Sequence, residues 1–317
     1  MKLEDIGFYT LSDDRAKNAS STTPLWRCEV LVTNRCNFNC PYCRHVGPER
    51  DMTWDEAKRV LDLWVNDGLK NVRFSGGEPT LWKHLVKAVE HCNSNGVERI
   101  AISTNGSADL DLYTELVEAG ASDFSISFDA CCADDCEKMS GNKAKWIGLK
   151  NAIQHLSSKT YVTAGVVLTE DNEDSVVEIV NSAKELGVSD IRVIPAAQHA
   201  KALAGLPESD SPILEYRRKK ALAGKTVRGL ECSDSKHCML VLDDMAIVGD
   251  SHYPCIIYAR EGGEPIGKVS DNMRAERLDW MKTHDCKQDA ICAGNCLDVC
   301  RDYNNTAQRL NPLYPND

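Results

Sequence analysis

Between residues 26 and 195 the sequence alternates six short apolar runs with amphipathic segments, and this alternation constrains the fold more than any other feature. The predicted strands span 26–33, 71–75, 98–103, 123–128, 161–168 and 190–194, and the predicted helices between them span 53–67, 81–95, 109–119, 144–157 and 172–186. Strands joined by helices pair in parallel through right-handed crossovers. Six such units predict an α/β fold, a partial (β/α)6 barrel of the TIM type, whose chemistry lies at the carboxyl ends of the strands.

A cysteine-rich loop follows the first predicted strand directly. Cys36, Cys40 and Cys43 are separated by three residues and then by two. Three thiolates can hold three irons of a four-iron cube and leave the fourth iron open, whereas an ordinary electron-transfer cluster uses four cysteines. A zinc knuckle or a set of buried thiols is the alternative, although zinc sites usually use four ligands in paired spacings.

Small and polar residues end the next three predicted strands. The second strand runs into Ser75-Gly76-Gly77-Glu78-Pro79, where glycines allow the backbone to approach a ligand closely. Further candidates at the ends of strands three and four are Ser103, Asn105, Ser127 and Asp129. The alternative for each of these four residues is a polar strand end that caps the next helix.

The cysteine spacing, with Tyr42 before the last cysteine, resembles the radical SAM superfamily, as does the Gly-Gly-Glu-Pro segment one strand later. The resemblance implies that S-adenosylmethionine chelates the open iron of a [4Fe-4S] cluster, that Cys36, Cys40 and Cys43 are the catalytic ligands, and that a 5′-deoxyadenosyl radical abstracts hydrogen from a substrate. It also implies cofactor contacts from Tyr42, Gly76, Gly77, Glu78, Pro79, Ser103, Asn105, Ser127 and Asp129, with 193–195 beside the adenine. Candidates for a basic partner of the cofactor carboxylate are Lys143, Lys145 and Arg192.

The C-terminal third contains a second group of cysteines. Cys238 and Cys255 flank a predicted hairpin, and Cys286, Cys292 and Cys296 are spaced by five residues and then three. That spacing resembles part of the SPASM extension of radical SAM maturases, or its shortened twitch relative, although Thr283 stands where the full pattern has a cysteine and Cys300 comes early. The resemblance implies at least one auxiliary [4Fe-4S] cluster. Its predicted ligands are Cys238, Cys255 and two of Cys292, Cys296 and Cys300, and a zinc site is the alternative.

These features predict three regions: a lead-in at 1–24, a barrel core at 25–205 and a cysteine-rich α+β extension at 206–317. The net charge of −11 disfavours non-specific binding to nucleic acid or anionic lipid. One basic run consists of Arg217, Arg218, Lys219 and Lys220. It is interpreted as a solvated helix face or as a grip on a phosphate-bearing substrate. A third group, Cys131, Cys132 and Cys136, is interpreted as a loop with incidental thiols or as a hydrogen donor at the rim of the site.

The predicted function is that of a radical SAM enzyme that reductively cleaves S-adenosylmethionine, with an electron donor such as flavodoxin or ferredoxin. The residues at 6–13 resemble radical SAM proteins tied to hypermodification of nucleosides or DNA bases, so one hypothesis is an isomerase that rearranges a modified nucleoside. The alternatives are a RiPP-type peptide maturase, a small-molecule dehydrogenase or epimerase, and a non-enzymatic metal-binding scaffold. The absence of a long apolar run and of a leader predicts a cytoplasmic protein.

Overall fold

Six parallel strands form the centre of one sheet and follow one another in chain order. In the computed structural model, which describes residues 9–44, 50–142 and 145–313, they are β1 (Arg27–Thr33), β2 (Asn71–Gly76), β3 (Arg99–Thr104), β4 (Asp123–Ser127), β5 (Tyr161–Leu168) and β6 (Asp190–Pro195). Every neighbouring pair is parallel, and β6 is a free edge of the sheet. The predicted partial barrel is therefore confirmed. Residues 6–8 and Lys143 lie outside the described residues.

Helices precede, connect and follow these strands. They are α1 (Asp13–Asn18), α2 (Trp54–Asn66), α3 (Leu85–Ser94), α4 (Leu110–Ala119), α5 (Ala133–Ser140), α6 (Trp146–Ser157), α7 (Val176–Glu185), α8 (Ala200–Ala204) and α9 (Pro212–Leu222). The predicted start of α2 is confirmed by a capping box, in which Thr53 accepts from the backbone of Glu56 and Glu56 accepts from the backbone of Thr53. Buried apolar side chains from β1 to β6 and from α2 to α9 form one continuous core.

The sheet continues into the C-terminal region, which the sequence did not predict. It gains β7 (Asp244–Val248), β8 (Ser251–Tyr253) and β9 (Gly267–Lys268), so the strand order is β6-β5-β4-β3-β2-β1-β7-β8-β9. The predicted hairpin is present as the antiparallel pair β7 and β8. Its first strand also pairs in parallel with β1, and Arg27 lies opposite Asp244, with 2.6 Å between Nη2 and Oδ2. This pairing satisfies the backbone groups along an edge of β1 that would otherwise lack partners.

The remaining helices complete the C-terminal region. They are α10 (Ile256–Arg260), α11 (Met273–Thr283), α12 (Ala290–Asn295) and α13 (Asp298–Leu310). A second apolar cluster joins the short 3-10 helix Met239–Leu242 to α13 and to α1 near the N-terminus. Arg15 of α1 forms an ion pair with buried Asp243, and Tyr303 of α13 donates to the same carboxylate. The lead-in is therefore packed on the C-terminal region, and the predicted boundary at 205 and 206 stays a prediction.

One predicted loop is a helix. Cys132 is the N-cap of α5 and Cys136 lies within it, buried against the main core. The segment Ala133–Ser140, which contains the last of the three cysteines, is helical, and Gly141 ends the helix in the left-handed conformation that glycine favours. Within the described ranges, no helix combines the length and the apolar composition that crossing a membrane requires.

Candidate functional site

The cysteine loop lies at the carboxyl end of β1, at the edge of the sheet where the other strand ends also meet. Cys36 and Cys40 are partly buried and Cys43 is exposed. Burial, and to a lesser extent the neighbouring thiols, raise the pKa of the Cys36 thiol and raise that of Cys40 to about 11. Thiolates that disfavour one another in this way are stabilised by a bound metal cation. The donor set, three thiolates from one short loop, therefore fits the predicted three-cysteine [4Fe-4S] cluster.

The glycines at the end of β2 pack against the segment that leads into the cysteine loop. The amide of Gly77 donates to the carbonyl of Thr33, and the amide of Glu78 donates to the carbonyl of Arg35, both at 2.8 Å. A Cβ atom would lie 2.0 Å from the Thr33 oxygen at Gly76 and 2.3 Å from the Arg35 oxygen at Gly77. Only glycine allows this approach. The two glycines therefore hold the cysteine loop against the end of β2. This packing is independent of the cofactor contacts predicted for their backbone.

Glu78 joins the ends of β2 and β3. Its side chain is fully buried, and Oε1 accepts from the hydroxyls of Thr80 and Thr104 at 2.6 and 2.7 Å. Oε2 accepts from the amide of Asn105 at 2.7 Å. Burial raises the pKa of this carboxyl group, and the hydrogen bonds oppose that shift. By accepting these hydrogen bonds, the Glu78 side chain holds the ends of β2 and β3 together. The predicted contact of the Gly-Gly-Glu-Pro segment with the cofactor stays a prediction.

Asn105 connects the end of β3 to the cysteine loop. Its Nδ2 donates to Oδ1 of Asn37 at 2.8 Å and lies 3.8 Å from the sulfur of Cys36. Asn37 lies inside the loop and was not singled out in the sequence, although its place between two candidate ligands was a usable signal. The structure thus brings Asn105 to the site, and its predicted contact with the cofactor remains to be tested.

Tyr42 and Asp129 fasten the cysteine loop to the end of β4. The phenol of Tyr42 donates to Oδ2 of Asp129, while the amide of Val167 donates to Oδ1 at 2.5 Å. Burial raises the pKa of Asp129 to about 6, against the hydrogen bonds that lower it. Burial and the adjacent carboxylate also raise the pKa of Tyr42, so the phenol keeps its proton. This side-chain link joins two residues that the sequence predicted separately as cofactor contacts.

Two of the predicted cofactor contacts lie apart from this network. Ser103 accepts from Nη1 of the buried Arg73 at 2.8 Å, inside the barrel. Ser127 is exposed at the end of β4. Arg192, a candidate partner for a carboxylate, is half-buried among the charges of Arg73, Asp123 and Asp190, and desolvation lowers its pKa to about 10. These roles stay predictions.

We expect Gly77→Ala to displace the cysteine loop. Because the added methyl group would meet a backbone oxygen that cannot rotate away, the substitution should cost at least about 2 kcal/mol of unfolding free energy and impair cluster retention. Thermal unfolding and iron analysis measure both effects. The matched control is Gly148→Ala in α6, where a Cβ meets no atom within 4 Å and helix propensity favours alanine by up to about 1 kcal/mol. Equal stability of the two variants would contradict the proposed packing role.

We expect Tyr42→Phe to weaken the loop without emptying it. Loss of a hydrogen bond to a buried carboxylate should cost about 2 kcal/mol while the aromatic ring keeps its place, so iron content should be retained and the KM for S-adenosylmethionine should rise. Asp129→Asn is the partner variant. If the hydrogen bond couples the two side chains, the double variant should be less destabilised than the sum of the single variants. Additive effects would show that the pair is not coupled.

Six cysteines of the C-terminal region line one cavity. They are Cys238, Cys255, Cys286, Cys292, Cys296 and Cys300. The sequence placed five of them among its candidate ligands and left out Cys286, although its spacing from Cys292 had been noted. Cys286 lies just after α11 and is buried. Cys232 is exposed and is not among the residues that line the cavity.

The thiols in this cavity form one connected group, in which Cys238 contacts the thiol of Cys286 and lies near that of Cys292. Cys296 interacts directly with Cys300 and electrostatically with Cys238 and Cys255. Cys286 contacts the thiols of Cys238 and Cys292, and sharing hydrogen bonds with them raises the pKa of Cys286. Contact with Cys286 and then with His284 lowers the pKa of Cys292 to about 7. Buried thiols at this density suit metal ligation, so the cavity fits an auxiliary iron–sulfur cluster.

The basic run in α9 is not a free phosphate grip, which corrects one of the two interpretations. Arg217 is buried, and its Nη2 lies 3.1 Å from Oδ1 of Asp298. The other members are paired as well: Arg218 and Lys219 with Glu215, and Lys220 with Asp302. Helical spacing could indicate Glu215 as a partner, but not Asp298 and Asp302, because both lie on α13.

The cysteines that follow β4 form a small group at the start of α5. Ligand atoms of Cys131, Cys132 and Asp135 lie within 4.8 Å of one another, and the Cys131 thiol donates to Oδ2 of Asp135 at 3.4 Å. Burial and the adjacent carboxylate raise the pKa of Cys131 to about 11. A protonated thiol suits a hydrogen donor, so that interpretation stays open.

Comparison with known proteins finds one family match and several relatives. Residues 30–183 match the radical SAM superfamily. The chain is 28% identical over 210 residues to a GTP 3′,8-cyclase of Clostridium perfringens (strain 13). The alignment covers 63% of this chain and 65% of that protein. The chain is 30% identical over 196 residues to a GTP 3′,8-cyclase of Helicobacter pylori (strain J99), which covers 57% and 60%. The matched regions thus span less than two thirds of both relatives.

Two solved structures are similar in fold. SuiB of Streptococcus suis superimposes with a TM-score of 0.59 at 14% identity, covering 82% of this chain and 67% of that chain. The enzyme anSMEcpe with bound AdoMet superimposes with a TM-score of 0.58 at 16% identity, covering 90% and 94%. At this level of identity the similarity concerns the fold, and it extends from the barrel into the C-terminal region.

Proposed function

The chain belongs to the radical SAM superfamily of enzymes, and from this premise we propose that it cleaves S-adenosylmethionine and uses the resulting radical to rearrange a nucleotide. Cys36, Cys40 and Cys43 would hold the [4Fe-4S] cluster. When bound, that cluster and S-adenosylmethionine supply an electron and a 5′-deoxyadenosyl radical that abstracts hydrogen. The protein's own part is to hold the cofactor, orient one substrate C–H bond and exclude water.

The observation that carries the proposal is the meeting of four strand ends around the cysteine loop. The glycines after β2 hold the loop from one side, and Glu78 and Asn105 connect it to β3. Tyr42 and Asp129 connect it to β4. A loop fixed at several points keeps its thiols in one arrangement, which is what a preorganised site needs. We assign the cofactor contacts to the backbone of 76–79 and to Asn105, with Ser103, Ser127 and Asp129 as further candidates.

A nucleotide is the substrate class that the sequence relatives favour. The two described relatives are GTP 3′,8-cyclases, enzymes named for a reaction of a nucleotide. A net charge of −11 disfavours long nucleic acids, whose binding depends on many phosphate contacts. A free nucleotide needs only a few cationic groups. We therefore propose a small nucleotide as the first candidate substrate, a DNA base as the second and a peptide as the third.

Arg228 is our candidate for the contact with the nucleotide's phosphate. Its Nε donates at 2.7 Å to the carbonyl of Pro195, which ends β6 at the edge where the site lies. Its Nη1 is buried and has no hydrogen-bond partner. Burial lowers the pKa of Arg228, and the charges of Arg44 and Arg217 lower it further. A bound anion would stabilise this guanidinium and satisfy its free donor.

The auxiliary cluster is assigned to four of the six cavity cysteines: Cys238, Cys255, Cys296 and Cys300. All four belong to the predicted set, and they interact with one another within the cavity. When bound, such a cluster supplies a redox centre next to the barrel. The cavity walls include Leu240 and Trp280, so the thiols lie in an apolar setting that limits access of water.

The test is an anaerobic assay with reductant, S-adenosylmethionine and GTP deuterated on the ribose. We expect GTP to accelerate release of 5′-deoxyadenosine, and deuterium to appear in that product. Guanosine, other nucleoside triphosphates and a cysteine-containing peptide are the competing substrates. Cleavage that no nucleotide accelerates, with no deuterium transfer, would refute the substrate class and leave the radical SAM assignment intact.

Arg228→Gln tests the phosphate contact separately. We expect the KM for the nucleotide to rise by about tenfold, equivalent to 1.4 kcal/mol, while the KM for the nucleoside and the basal cleavage rate stay unchanged. Lys268→Gln is the matched control, because Lys268 in β9 is an exposed cation that forms an ion pair with Asp250. An equal change for nucleotide and nucleoside would refute a phosphate contact.

A further inference from the structure

We propose that His284, Cys286 and Cys292 form a separate mononuclear metal site that takes Zn²⁺, next to the auxiliary cluster and not part of it. One nitrogen of His284 and the two sulfurs all lie within 4.8 Å of one another. Ligands of one tetrahedral zinc ion lie close together, because each is only about 2.0–2.3 Å from the metal. The spacing of these three groups therefore suits a single ion.

The imidazole of His284 is held in place by its neighbours, and one of its ring nitrogens is available to bind a metal ion. Its ring stacks on Trp280 with 4.0 Å between centroids and 15° between planes, and it meets the edge of Tyr258 at 6.2 Å. Its Nε2 is buried without a hydrogen-bond partner, and the carboxylate of Asp289 is 3.5 Å away. An unpaired buried nitrogen costs free energy unless something binds it. A metal ion would satisfy this atom.

Asp289 supplies the supporting contacts that metal ligands commonly have. Its Oδ1 accepts from the amide of Cys292 at 2.8 Å, and its Oδ2 accepts from the phenol of Tyr258 at 2.8 Å. These bonds fix the start of α12, and with it the thiol of Cys292. Groups that orient a ligand in this way raise metal affinity. The fourth position of the tetrahedron is left to water or to Oδ2 of Asp289.

The number of ligands also argues for one cube and one single ion. Six cysteines line the cavity, and a [4Fe-4S] cluster held by Cys238, Cys255, Cys296 and Cys300 leaves only two. Two thiols cannot hold a second cube, whereas two thiols, an imidazole and an oxygen ligand can hold zinc. Thr283, which replaces the cysteine of the SPASM pattern, lies directly before His284. The chain thus offers a nitrogen ligand next to the position where the pattern has a sulfur ligand.

The test is metal analysis of the full chain after anaerobic reconstitution with iron, sulfide and zinc. We expect about one zinc per chain in addition to the cluster iron, and we expect His284→Ala to lose the zinc and keep the iron. Co²⁺ added in place of zinc should give tetrahedral visible absorption bands in the wild type that His284→Ala lacks. His284→Cys should restore them. His237→Ala is the matched control, since His237 lines the same cavity and shares a hydrogen bond with Met281.

Three results would overturn the proposal. One is the absence of both zinc and a tetrahedral cobalt spectrum in the wild type. Another is loss of about four irons on His284→Ala, and the third is nitrogen hyperfine coupling to a reduced cluster in protein labelled with ¹⁵N-histidine. The second and third would assign His284 to an iron–sulfur cluster. None of these measurements depends on cleavage of S-adenosylmethionine, so they stand apart from the proposed function.

Discussion

Replacing Cys40 with alanine should abolish the release of 5′-deoxyadenosine from S-adenosylmethionine. The three thiols at the end of β1 come from one loop, and Cys40 is the central one. Two thiolates cannot hold a cube whose fourth iron must stay open for the cofactor, so the variant should lose about four irons per chain. Iron analysis and chromatography of the reaction products under anaerobic conditions measure the two losses together.

Cys92→Ala is the control for this experiment. Cys92 lies in α3, fully buried in the main core, and burial raises its pKa to about 12. Its substitution removes a thiol and creates a small cavity, which should cost about 1–2 kcal/mol of stability, but it should leave iron content and cleavage intact at moderate temperature. Wild-type cleavage by Cys40→Ala would show that the cysteine loop is not the cofactor site.

Replacing Cys296 with alanine should separate cleavage of the cofactor from turnover of the substrate. The wild type should contain about eight irons per chain, from two [4Fe-4S] clusters, and the variant about four. The N-terminal cluster lies on the barrel and has its own ligands, so uncoupled release of 5′-deoxyadenosine should persist. Formation of the rearranged product should fall below detection if the auxiliary cluster is needed for turnover.

The result would also test the ligand assignment. Cys255→Ala should reproduce the iron loss, because Cys255 belongs to the same proposed set, and Cys92→Ala should not. An iron content near eight in Cys296→Ala would remove that residue from the cluster. A content near four in the wild type would remove the auxiliary cluster altogether. A product that still forms in Cys296→Ala at the normal rate would show that the cluster has no part in the reaction.

Local signals were sufficient for the six strands, most of the helices and the main candidate site. The predicted helix 53–67 corresponds to α2, and the apolar runs predicted all six barrel strands within one or two residues. Such features depend on residues that are close in the chain. The same holds for the cysteine loop, whose three thiols are within eight residues. The position of the cysteine loop could be predicted too, because a loop that follows a parallel strand starts at the carboxyl end of that strand.

The pairs that joined distant segments could not be predicted in this way. Arg217 was interpreted as a surface cation, yet its partner Asp298 lies 81 positions later in the chain, and only packing of α13 on α9 shows that the charge is buried and paired. The parallel pairing of β7 with β1 is of the same kind. Apolar periodicity marks which face of a strand is buried, but it does not say which strand lies beside it.

By itself the sequence determined the parallel barrel and the three-thiol loop, since both follow from short-range pattern and spacing. The tertiary structure decided how that loop is fastened, through Glu78, Tyr42 and Asp129, and which thiols line the C-terminal cavity. The physical reason is that hydrogen bonds and metal ligation require atoms within a few ångströms. For residues far apart in the chain, only the folded backbone sets that distance.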